Sequence, residues 1–256
     1  MIAEPELSVA DHVVVVSGGS RGIGLAIAAA FVTRGARAVI TARTQASIDS
    51  AVDTLTALAS DPQHVLGLVA DAGDEGDAAR VTVAATDAFG RIDTLVNNAA
   101  ATARFGRLMN VSLDDWDAVM RVNLRAPMIW SRLVQPIMRE QGGGSIINIG
   151  SSEGIRLTGG LGTYAVSKAG LQMLTRVCAT EWAADNVRVN CLSPGVIETE
   201  FSAKFVEQIR TTGKHINPMS MIGSTADVAA YAVFLASESS RFVTGATISV
   251  DGGETA

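Results

Sequence analysis

Short runs of β-branched and aliphatic residues alternate with longer helix-like stretches along the whole chain. The runs are apolar at nearly every position rather than at alternate positions, which is typical of strands covered on both faces. Helical stretches between consecutive strands imply right-handed parallel crossovers. The pattern predicts an α/β fold: one Rossmann-like, doubly wound domain with a seven-stranded parallel sheet and helices on both faces. The predicted strands are 13–16, 38–41, 65–69, 94–96, 145–149, 187–192 and 247–250.

Hydroxyl residues three positions before a carboxylate mark the starts of two helices. Ser112 precedes Asp115, and Ser224 precedes Asp227, which is the spacing of a capping box. The glycines at 142–144 are expected to end the long central helix. These signals set helices between strands, as the alternating pattern requires.

One domain is expected over residues 1–256, because no repeat or Pro- and Ser-rich linker interrupts the alternation. The least regular stretch is 198–223, which mixes aromatic and methionine residues with lysine and arginine. A connection of this length between a strand and a helix is typical of a lid. Residues 198–223 are therefore predicted to cover a substrate.

Composition narrows the possible functions. The chain has 256 residues, 48% of them hydrophobic, and a formal net charge of −6. That charge argues against a nucleic acid partner, because such binding depends on neutralising phosphates. No apolar stretch of about 18 residues and no basic, apolar leader are found, which predicts no membrane association and a cytoplasmic location. Cys178 and Cys191 lie in apolar segments and are interpreted as reduced core thiols.

A glycine-rich turn joins the first strand to the first helix. Residues 17–24 read Ser-Gly-Gly-Ser-Arg-Gly-Ile-Gly within a βαβ unit. Such a turn lets the backbone approach a phosphate, and the N–H groups of the helix N-terminus attract its charge. A tight turn without a ligand is the alternative, but the position of this turn favours a dinucleotide site. The candidate contacts are Gly18, Ser20, Arg21, Gly22, Ile23 and Gly24.

The end of the second strand indicates which dinucleotide is bound. Folds that bind NAD place a carboxylate there for the ribose 2′-hydroxyl, whereas NADP sites use an arginine near the 2′-phosphate. Here the strand ends in Thr41-Ala42-Arg43 without a carboxylate, and Arg21 is expected nearby. Two solvated surface arginines are the alternative interpretation. We predict NADP(H) as the cofactor, with Arg21 and Arg43 near its 2′-phosphate.

Tyr164 and Lys168 stand four residues apart, so both face the same side of a helix. Lowering a phenol pKa from about 10 to about 7 takes roughly 4 kcal/mol. A cation about 4 Å away supplies about 1 kcal/mol in water but about 4 kcal/mol at an effective dielectric of about 20, so a catalytic pair needs a partly desolvated cleft. Alone, the pair is more often a surface tyrosine that packs on the aliphatic part of a lysine side chain.

Ser151 follows a predicted strand, at the sheet edge where parallel sheets bind ligands.

Several motifs together have the order and spacing of a known family. From His12 to Gly253 the chain resembles the short, single-domain members of the short-chain dehydrogenase/reductase family, and most nearly the 3-oxoacyl-carrier-protein reductases. The motifs are Gly18-x-x-x-Gly22-x-Gly24, Asn97-Asn-Ala99, Asn123, Ser151, Tyr164-x-x-x-Lys168, Pro194-Gly195 and Asp251-Gly-Gly253.

The resemblance implies catalytic roles. Tyr164 would be the general acid for carbonyl reduction and the base for alcohol oxidation. Lys168 would lower the pKa of Tyr164 and hold the nicotinamide ribose, and Ser151 would bond the substrate oxygen. Ser152 competes for that role, but the family's Ser-x-x-Gly pattern selects Ser151.

Asn123 resembles the family's proton-relay asparagine. Pro127 lacks the N–H that would bond the Asn123 carbonyl in a helix, which leaves that carbonyl to hold a water. A solvated asparagine beside a proline kink is the alternative.

The resemblance also implies further cofactor contacts. Asp71 and Ala72 are similar to the family's adenine contact, and Asn97 and Ala99 are expected to support the sheet edge beneath the cofactor. Contacts with the nicotinamide end are expected from Pro194, Gly195, Ile197, Thr199, Tyr164 and Lys168.

Three positions depart from the family pattern. Ser17 replaces a threonine of the glycine turn and keeps the hydroxyl. Ala100 replaces the glycine that usually follows Asn-Asn-Ala, and Asn186 stands where a glycine is common. The last two affect turns rather than chemistry.

The predicted activity is reversible, metal-independent hydride transfer between NADP(H) and a ketone or secondary alcohol. A 3-oxoacyl thioester is the alternative substrate. Such reductases often carry docking arginines at the two positions that are Gly142 and Asp185 here. An acidic carrier protein would not be attracted to Asp185, so a free carbonyl compound fits the sequence at least as well as a carrier-bound one. A catalytically silent NADP-sensing regulator is the alternative from another class, although it would not need Tyr164, Lys168 and Ser151 together.

A homotetramer is the predicted assembly. The helices expected over 114–138 and 163–184 carry apolar residues on more than one face, and the family is commonly tetrameric. Core packing within one chain is the alternative explanation.

Overall fold

Seven parallel strands form one sheet in the order β3-β2-β1-β4-β5-β6-β7. The computed structural model describes residues 7–102, 105–214 and 216–256. All seven predicted strands are present, and the doubly wound fold is confirmed. The strands are β1 Val13–Ser17, β2 Arg37–Ala42, β3 Val65–Val69, β4 Thr94–Asn97, β5 Gly144–Ile149, β6 Val187–Pro194 and β7 Thr247–Val250.

Helices cover both faces of this sheet. Val14 and Val16 of β1 pack in one apolar cluster with residues of α1, α2 and α8. Val15 points the other way, into a second cluster with residues of α3, α5 and α6. Burial on both faces explains why the strand is apolar at every position. In the described residues the α-helices are α1 Gly22–Val32, α2 Gln45–Thr56, α3 Glu75–Phe89, α4 Leu113–Met120, α5 Ala126–Glu140, α6 Gly162–Trp182, α7 Ala203–Thr212 and α8 Thr225–Ala236. None of the helices in these ranges is both long and apolar enough to cross a bilayer.

The predicted helix starts are found at both serines. The Ser224 hydroxyl accepts from the Asp227 N–H, and the Asp227 carboxylate accepts from the Ser224 N–H, which completes a capping box. At α4 the Ser112 hydroxyl accepts from the Asp115 N–H. These caps satisfy N–H groups that a helix leaves unpaired at its first turn.

The region predicted as one helix over 114–138 is interrupted. A single π-helical turn, Arg121–Arg125, separates α4 from α5, and the Ala126 N–H donates to the Arg121 carbonyl. Pro127 lies in the first turn of α5, directly after that π-helical turn. The interruption beside Pro127 is therefore a π-helical turn.

The stretch 198–223 is more ordered than the sequence indicated, because it contains α7. Val206 and Ile209 are the buried residues of this amphipathic helix. Its role as a lid stays a prediction.

Replacing Asp93 with alanine should lower the free energy of unfolding by about 2 kcal/mol, because a buried N–H loses its acceptor. The buried Asp93 carboxylate accepts from the Val13 N–H at 2.8 Å and pairs with Arg91 at 2.6 Å. Urea denaturation measures the effect, with Asp87→Ala on the exposed side of α3 as the control. Equal stabilities of the two variants would contradict the assignment.

Candidate active site

A cleft of about 1050 Å³ lies along the carboxyl-terminal edge of the sheet. Residues at or after the ends of β1, β2, β3, β4, β5 and β6 line it, together with α6 and the 198–223 stretch. The strand order reverses between β1 and β4, which is where doubly wound sheets bind ligands. The sequence-predicted residues of the cofactor and catalytic sites converge on this cleft, with three exceptions described below.

The glycine turn forms the cradle at one end of the cleft. Gly18 has a φ of +65°, a left-handed backbone angle that favours glycine. The first turn of α1 contains no acidic residue, and its N-cap Arg21 makes no side-chain capping bond. The N–H groups of that turn are therefore left to an anion, and the cradle fits a dinucleotide diphosphate.

Gly24 does not line the cleft, unlike the other residues of the glycine turn that were predicted as contacts. A Cβ placed on Gly24 would lie 2.4 Å from Asn98 Nδ2 and 2.5 Å from the Gly18 carbonyl. Gly24 instead allows α1 to pack closely against the segments that follow β1 and β4.

Asn97 does not line the cleft either, because its side chain points into the core. Asn97 Nδ2 donates to Asn148 Oδ1 at 2.8 Å and to Ser131 Oγ at 3.2 Å. The next residue, Asn98, lines the cleft and donates from Nδ2 to the carbonyls of Ser17 and Gly18. Successive side chains of an extended segment alternate in direction, so one of two adjacent asparagines faces the cleft.

The structure accommodates all three departures from the family pattern. The Ser17 hydroxyl accepts from the N–H groups of Asn98 and Ala99 at 3.1 and 3.2 Å, as a hydroxyl at this turn is expected to do. Asn186 has a φ of +58° and donates from Nδ2 to the Gly142 carbonyl. Ala100 has no positive φ, so its Cβ is accommodated without strain.

The adenosine end carries the predicted arginines in two different settings. Arg43 is exposed on the cleft wall beside Thr44 and Ser47, and no carboxylate ends β2. Arg21 also lines the cleft, but its guanidinium pairs with Glu200. Both groups of that pair are mostly exposed, so the pairing contributes little to stability.

Asp71 and Ala72 line the cleft as predicted. Burial raises the pKa of Asp71, but the Gly73 N–H and the Arg121 guanidinium at 3.0 Å outweigh it and hold the pKa below its usual value. Arg121, which the sequence reasoning missed, thus keeps this carboxylate ionised. The Ala72 carbonyl accepts from the Trp130 indole, which fixes the backbone at this corner.

Tyr164 and Lys168 lie on α6, and both line the cleft with Ser151. The Lys168 side chain is only 2% exposed, and its Nζ donates to the Ile149 carbonyl at 2.6 Å. That Nζ is 5.6 Å from the centroid of the Tyr164 ring. The desolvated setting that a catalytic pair requires is therefore present.

The pKa values of this pair differ from the expectation. Burial raises the pKa of Tyr164 to about 12. The neighbouring Ser151 hydroxyl acts to lower this pKa, and the charge of Glu153 acts to raise it. Burial also lowers the pKa of Lys168 to about 8. The phenol is therefore neutral at pH 7, which is the form that donates a proton to a carbonyl oxygen.

Ser151 and Ser152 have different surroundings. The Ser151 hydroxyl accepts from the Glu153 N–H at 3.2 Å and acts to lower the pKa of Tyr164. Ser152 is also buried and lines the cleft, near the carboxyl of Glu254. The choice of Ser151 as the group that bonds the substrate oxygen stays a prediction.

Asn123 is the third predicted residue that does not line the cleft. It is 0% exposed, within the π-helical turn. Its side chain exchanges two hydrogen bonds with the Ala101 backbone and donates to Ser167 Oγ at 3.0 Å. The interpretation as a solvated surface asparagine is wrong. The missing Pro127 N–H still removes the α-helical donor to the Asn123 carbonyl.

The predicted nicotinamide contacts come together after β6. Pro194, Gly195, Ile197 and Thr199 all line the cleft, as does Ala99. A Cβ on Gly22 would lie 3.4 Å from the Thr199 methyl group, so the segment after β6 approaches the glycine cradle across the cleft.

Three phenylalanines and one acid on the cleft wall were not predicted as site residues, although Phe201 and Phe205 lie in the predicted lid 198–223. Phe105, Phe201 and Phe205 line the cleft, and so does Glu254 near the C-terminus. The only signal for the phenylalanines was their position in irregular segments, since apolar residues outside the periodic pattern are not needed for the core. Nothing in the sequence placed Glu254 beside Ser152.

The fold and this cleft define a doubly wound α/β protein with a dinucleotide cradle beside a half-buried tyrosine and a buried lysine. The model of the family described as enoyl-(acyl carrier protein) reductase matches residues 18–255. Dehydrogenase/reductase SDR family member 4 of Oryctolagus cuniculus is 38% identical over 246 residues, covering 95% of this chain and 94% of that protein. The 3-oxoacyl-[acyl-carrier-protein] reductase FabG of Thermotoga maritima is 37% identical over 241 residues, covering 94% and 96%.

A solved structure is similarly close. A short-chain type dehydrogenase/reductase from Mycobacterium ulcerans superposes with a TM-score of 0.93 at 31% identity, covering 97% of this chain and 91% of that one. The chain belongs to the short-chain dehydrogenase/reductase family of oxidoreductases, which use a nicotinamide cofactor.

Proposed function

We propose that this protein is an NADP(H)-dependent oxidoreductase that interconverts a ketone and a secondary alcohol. The observation that carries the proposal is the Tyr164 phenol, which lines the same cleft as Ser151, Lys168 and the glycine cradle. A proton donor, a second donor for the substrate oxygen and a dinucleotide cradle are the groups this reaction needs from the protein.

The choice of NADP(H) rests on the adenosine end of the cleft. Arg43 is exposed on the wall after β2, where a carboxylate would be needed to select NAD. A guanidinium binds a phosphate through paired, charge-assisted hydrogen bonds. Arg21 is a second candidate, once released from Glu200.

The protein's own groups would handle the proton. Ser151 Oγ and the Tyr164 hydroxyl would hold the substrate oxygen, and the phenol would donate its proton as the oxygen gains charge. Bound NADPH would supply the hydride. The Lys168 ammonium would stabilise the phenolate that remains, because it is held near the ring by the Ile149 carbonyl. In the oxidation direction the phenolate would take the proton back.

Asn123 would act as the relay that returns a proton to this centre. Its side chain is bonded to Ser167 Oγ, which donates to the Tyr164 carbonyl at 2.6 Å. These bonds would fix the Asn123 backbone carbonyl, which lacks its α-helical donor, as an acceptor for a water.

The homotetramer also belongs to this proposal. Val166, Met173 and Val177 of α6 are exposed, and their spacing sets them along one side of the helix. An apolar stripe of this kind supports packing against a second copy.

A panel of carbonyl compounds and alcohols, followed by the absorbance of the reduced nicotinamide, tests the proposed activity. We expect turnover of at least one ketone with NADPH, and weaker turnover with NADH, because Arg43 interacts only with the phosphorylated cofactor. The panel includes a 3-oxoacyl thioester. Absence of turnover with every compound, while NADPH still binds, would favour the silent regulator instead.

A further inference from the structure

Three phenylalanines form an aromatic wall at the catalytic end of the cleft, defined here as Phe105, Phe201 and Phe205. Phe105 is 66% exposed and Phe201 is 57% exposed, although both lie in a cavity rather than on a convex surface. Neither residue belongs to the two apolar clusters of the core. Large apolar groups left exposed beside a reactive group indicate contact with a ligand.

The wall adjoins the predicted proton donor. The centroid of the Phe201 ring is 6.1 Å from that of Tyr164, and the two planes are tilted by 40°. The rings of Phe105 and Phe205 lie edge to face, with their centroids 6.5 Å apart and their planes at 64°. When the carbonyl of a substrate accepts a hydrogen bond from Tyr164, a flat ring attached to that carbonyl would therefore contact an aromatic side chain.

Phe105 is held in place by its neighbours. A Cβ on Gly160 would lie 2.6 Å from the Phe105 ring, so the ring packs directly on that backbone. The Gly106 N–H donates to the Gly160 carbonyl at 3.0 Å, which ties the two segments together. A fixed ring loses little entropy when a ligand stacks on it.

The acidic groups near Tyr164 disfavour an anionic substrate. Glu153 lines the cleft and raises the pKa of Tyr164 by its charge. Glu254 also lines the cleft, is 6% exposed, and has an Oε2 atom without a hydrogen-bond partner in the structure. The cleft lining also carries the cations Arg21, Arg43, Arg121, Lys168 and Lys214. Arg21 and Arg121 are paired with Glu200 and Asp71. Lys168, beside Tyr164, donates to the Ile149 carbonyl.

We propose that the substrate is a neutral ketone carrying a flat aromatic ring, which stacks against Phe201 and the Phe105–Phe205 pair. This inference rests on the proposed function and names the substrate class of the same site. An offset or edge-to-face aromatic contact would place the ring, while Tyr164 and Ser151 would hold the oxygen.

The test compares two neutral ketones with the same carbon skeleton, acetophenone and cyclohexyl methyl ketone. The two ketones differ in intrinsic reactivity by a factor that is the same for every variant. The informative quantity is therefore the change in the ratio of their kcat/KM values from one variant to the next. We expect Phe201→Leu to lower the aryl-to-cyclohexyl ratio by about tenfold, and Phe105→Leu to lower it in the same direction. Phe242→Leu is the matched control, because Phe242 is 99% exposed and does not line the cleft.

An unchanged ratio in both Phe201→Leu and Phe105→Leu would overturn the aromatic contact. Benzoylformate and its ethyl ester test the charge, and we expect the neutral ester to have a higher kcat/KM by about tenfold. A preference for the anion would overturn that part of the proposal. If the protein reduces other carbonyl compounds but none with an aromatic ring, the inference fails while the proposed function stands. Loss of all turnover is the result that removes both.

Discussion

Tyr164→Phe is expected to reduce kcat for ketone reduction by about 10³-fold and to leave NADPH binding unchanged. The substitution removes one hydroxyl and keeps the ring that packs near Lys168 and Phe201. The hydroxyl is the proton donor, and its pKa of about 12 keeps it protonated across the neutral range. Steady-state NADPH oxidation measures kcat, and quenching or transfer of protein fluorescence measures the cofactor dissociation constant.

The chain offers a matched control for this substitution. Tyr231 is the other tyrosine, partly exposed on α8 and absent from the cleft. Tyr231→Phe should keep the native kcat, because it removes the same hydroxyl from a place without a role. A native rate in Tyr164→Phe would remove Tyr164 as the proton donor. Loss of NADPH binding together with rate would instead indicate that the hydroxyl also contacts the cofactor.

Arg43→Ala is expected to raise the NADPH dissociation constant by about 10- to 100-fold and to leave that of NADH nearly unchanged. A hydrogen bond to a charged group contributes about 1.5–3 kcal/mol, which corresponds to this range. The two cofactors differ only in the 2′-phosphate, so the difference between them isolates that contact. Titrations of both cofactors at fixed ionic strength supply the measurement, because salt screens an exposed phosphate contact.

Arg34→Ala is the control for Arg43, since Arg34 is an exposed arginine near the end of α1, outside the cleft. Arg21→Ala distinguishes the second candidate. A loss specific to NADPH in Arg21→Ala, with none in Arg43→Ala, would assign the phosphate contact to Arg21 and imply release of its pair with Glu200. Equal changes for both cofactors in Arg43→Ala would contradict the 2′-phosphate argument.

The sheet and its order of elements were predictable because their signals are local or periodic. Val14, Val15 and Val16 are apolar in succession, and the structure buries them alternately in the two clusters on opposite faces of the sheet. The glycine turn is similarly local: Gly18 needs a left-handed backbone angle at the end of a strand, and its neighbours in sequence form the cradle.

Side-chain direction at the strand ends was not predictable in the same way. Asn97 and Asn98 are adjacent and chemically identical, yet one bonds Asn148 in the core and the other faces the cleft. A difference of one residue in where β4 ends exchanges their roles. The π-helical turn at Asn123 depends likewise on bonds to Ala101 and Ser167, which are 22 and 44 residues away in sequence.

The sequence by itself determined the alternation of strands and helices, the glycine cradle and the Tyr164–Lys168 pair, because each depends on residues within a few positions of one another. Only the tertiary structure decided the pairing of Arg21 with Glu200 and the approach of Phe105 to Phe205. It also decided the burial that raises the pKa of Tyr164. These contacts join residues about 100 or more positions apart or depend on exclusion of solvent by the whole fold, and local propensity carries no information about either.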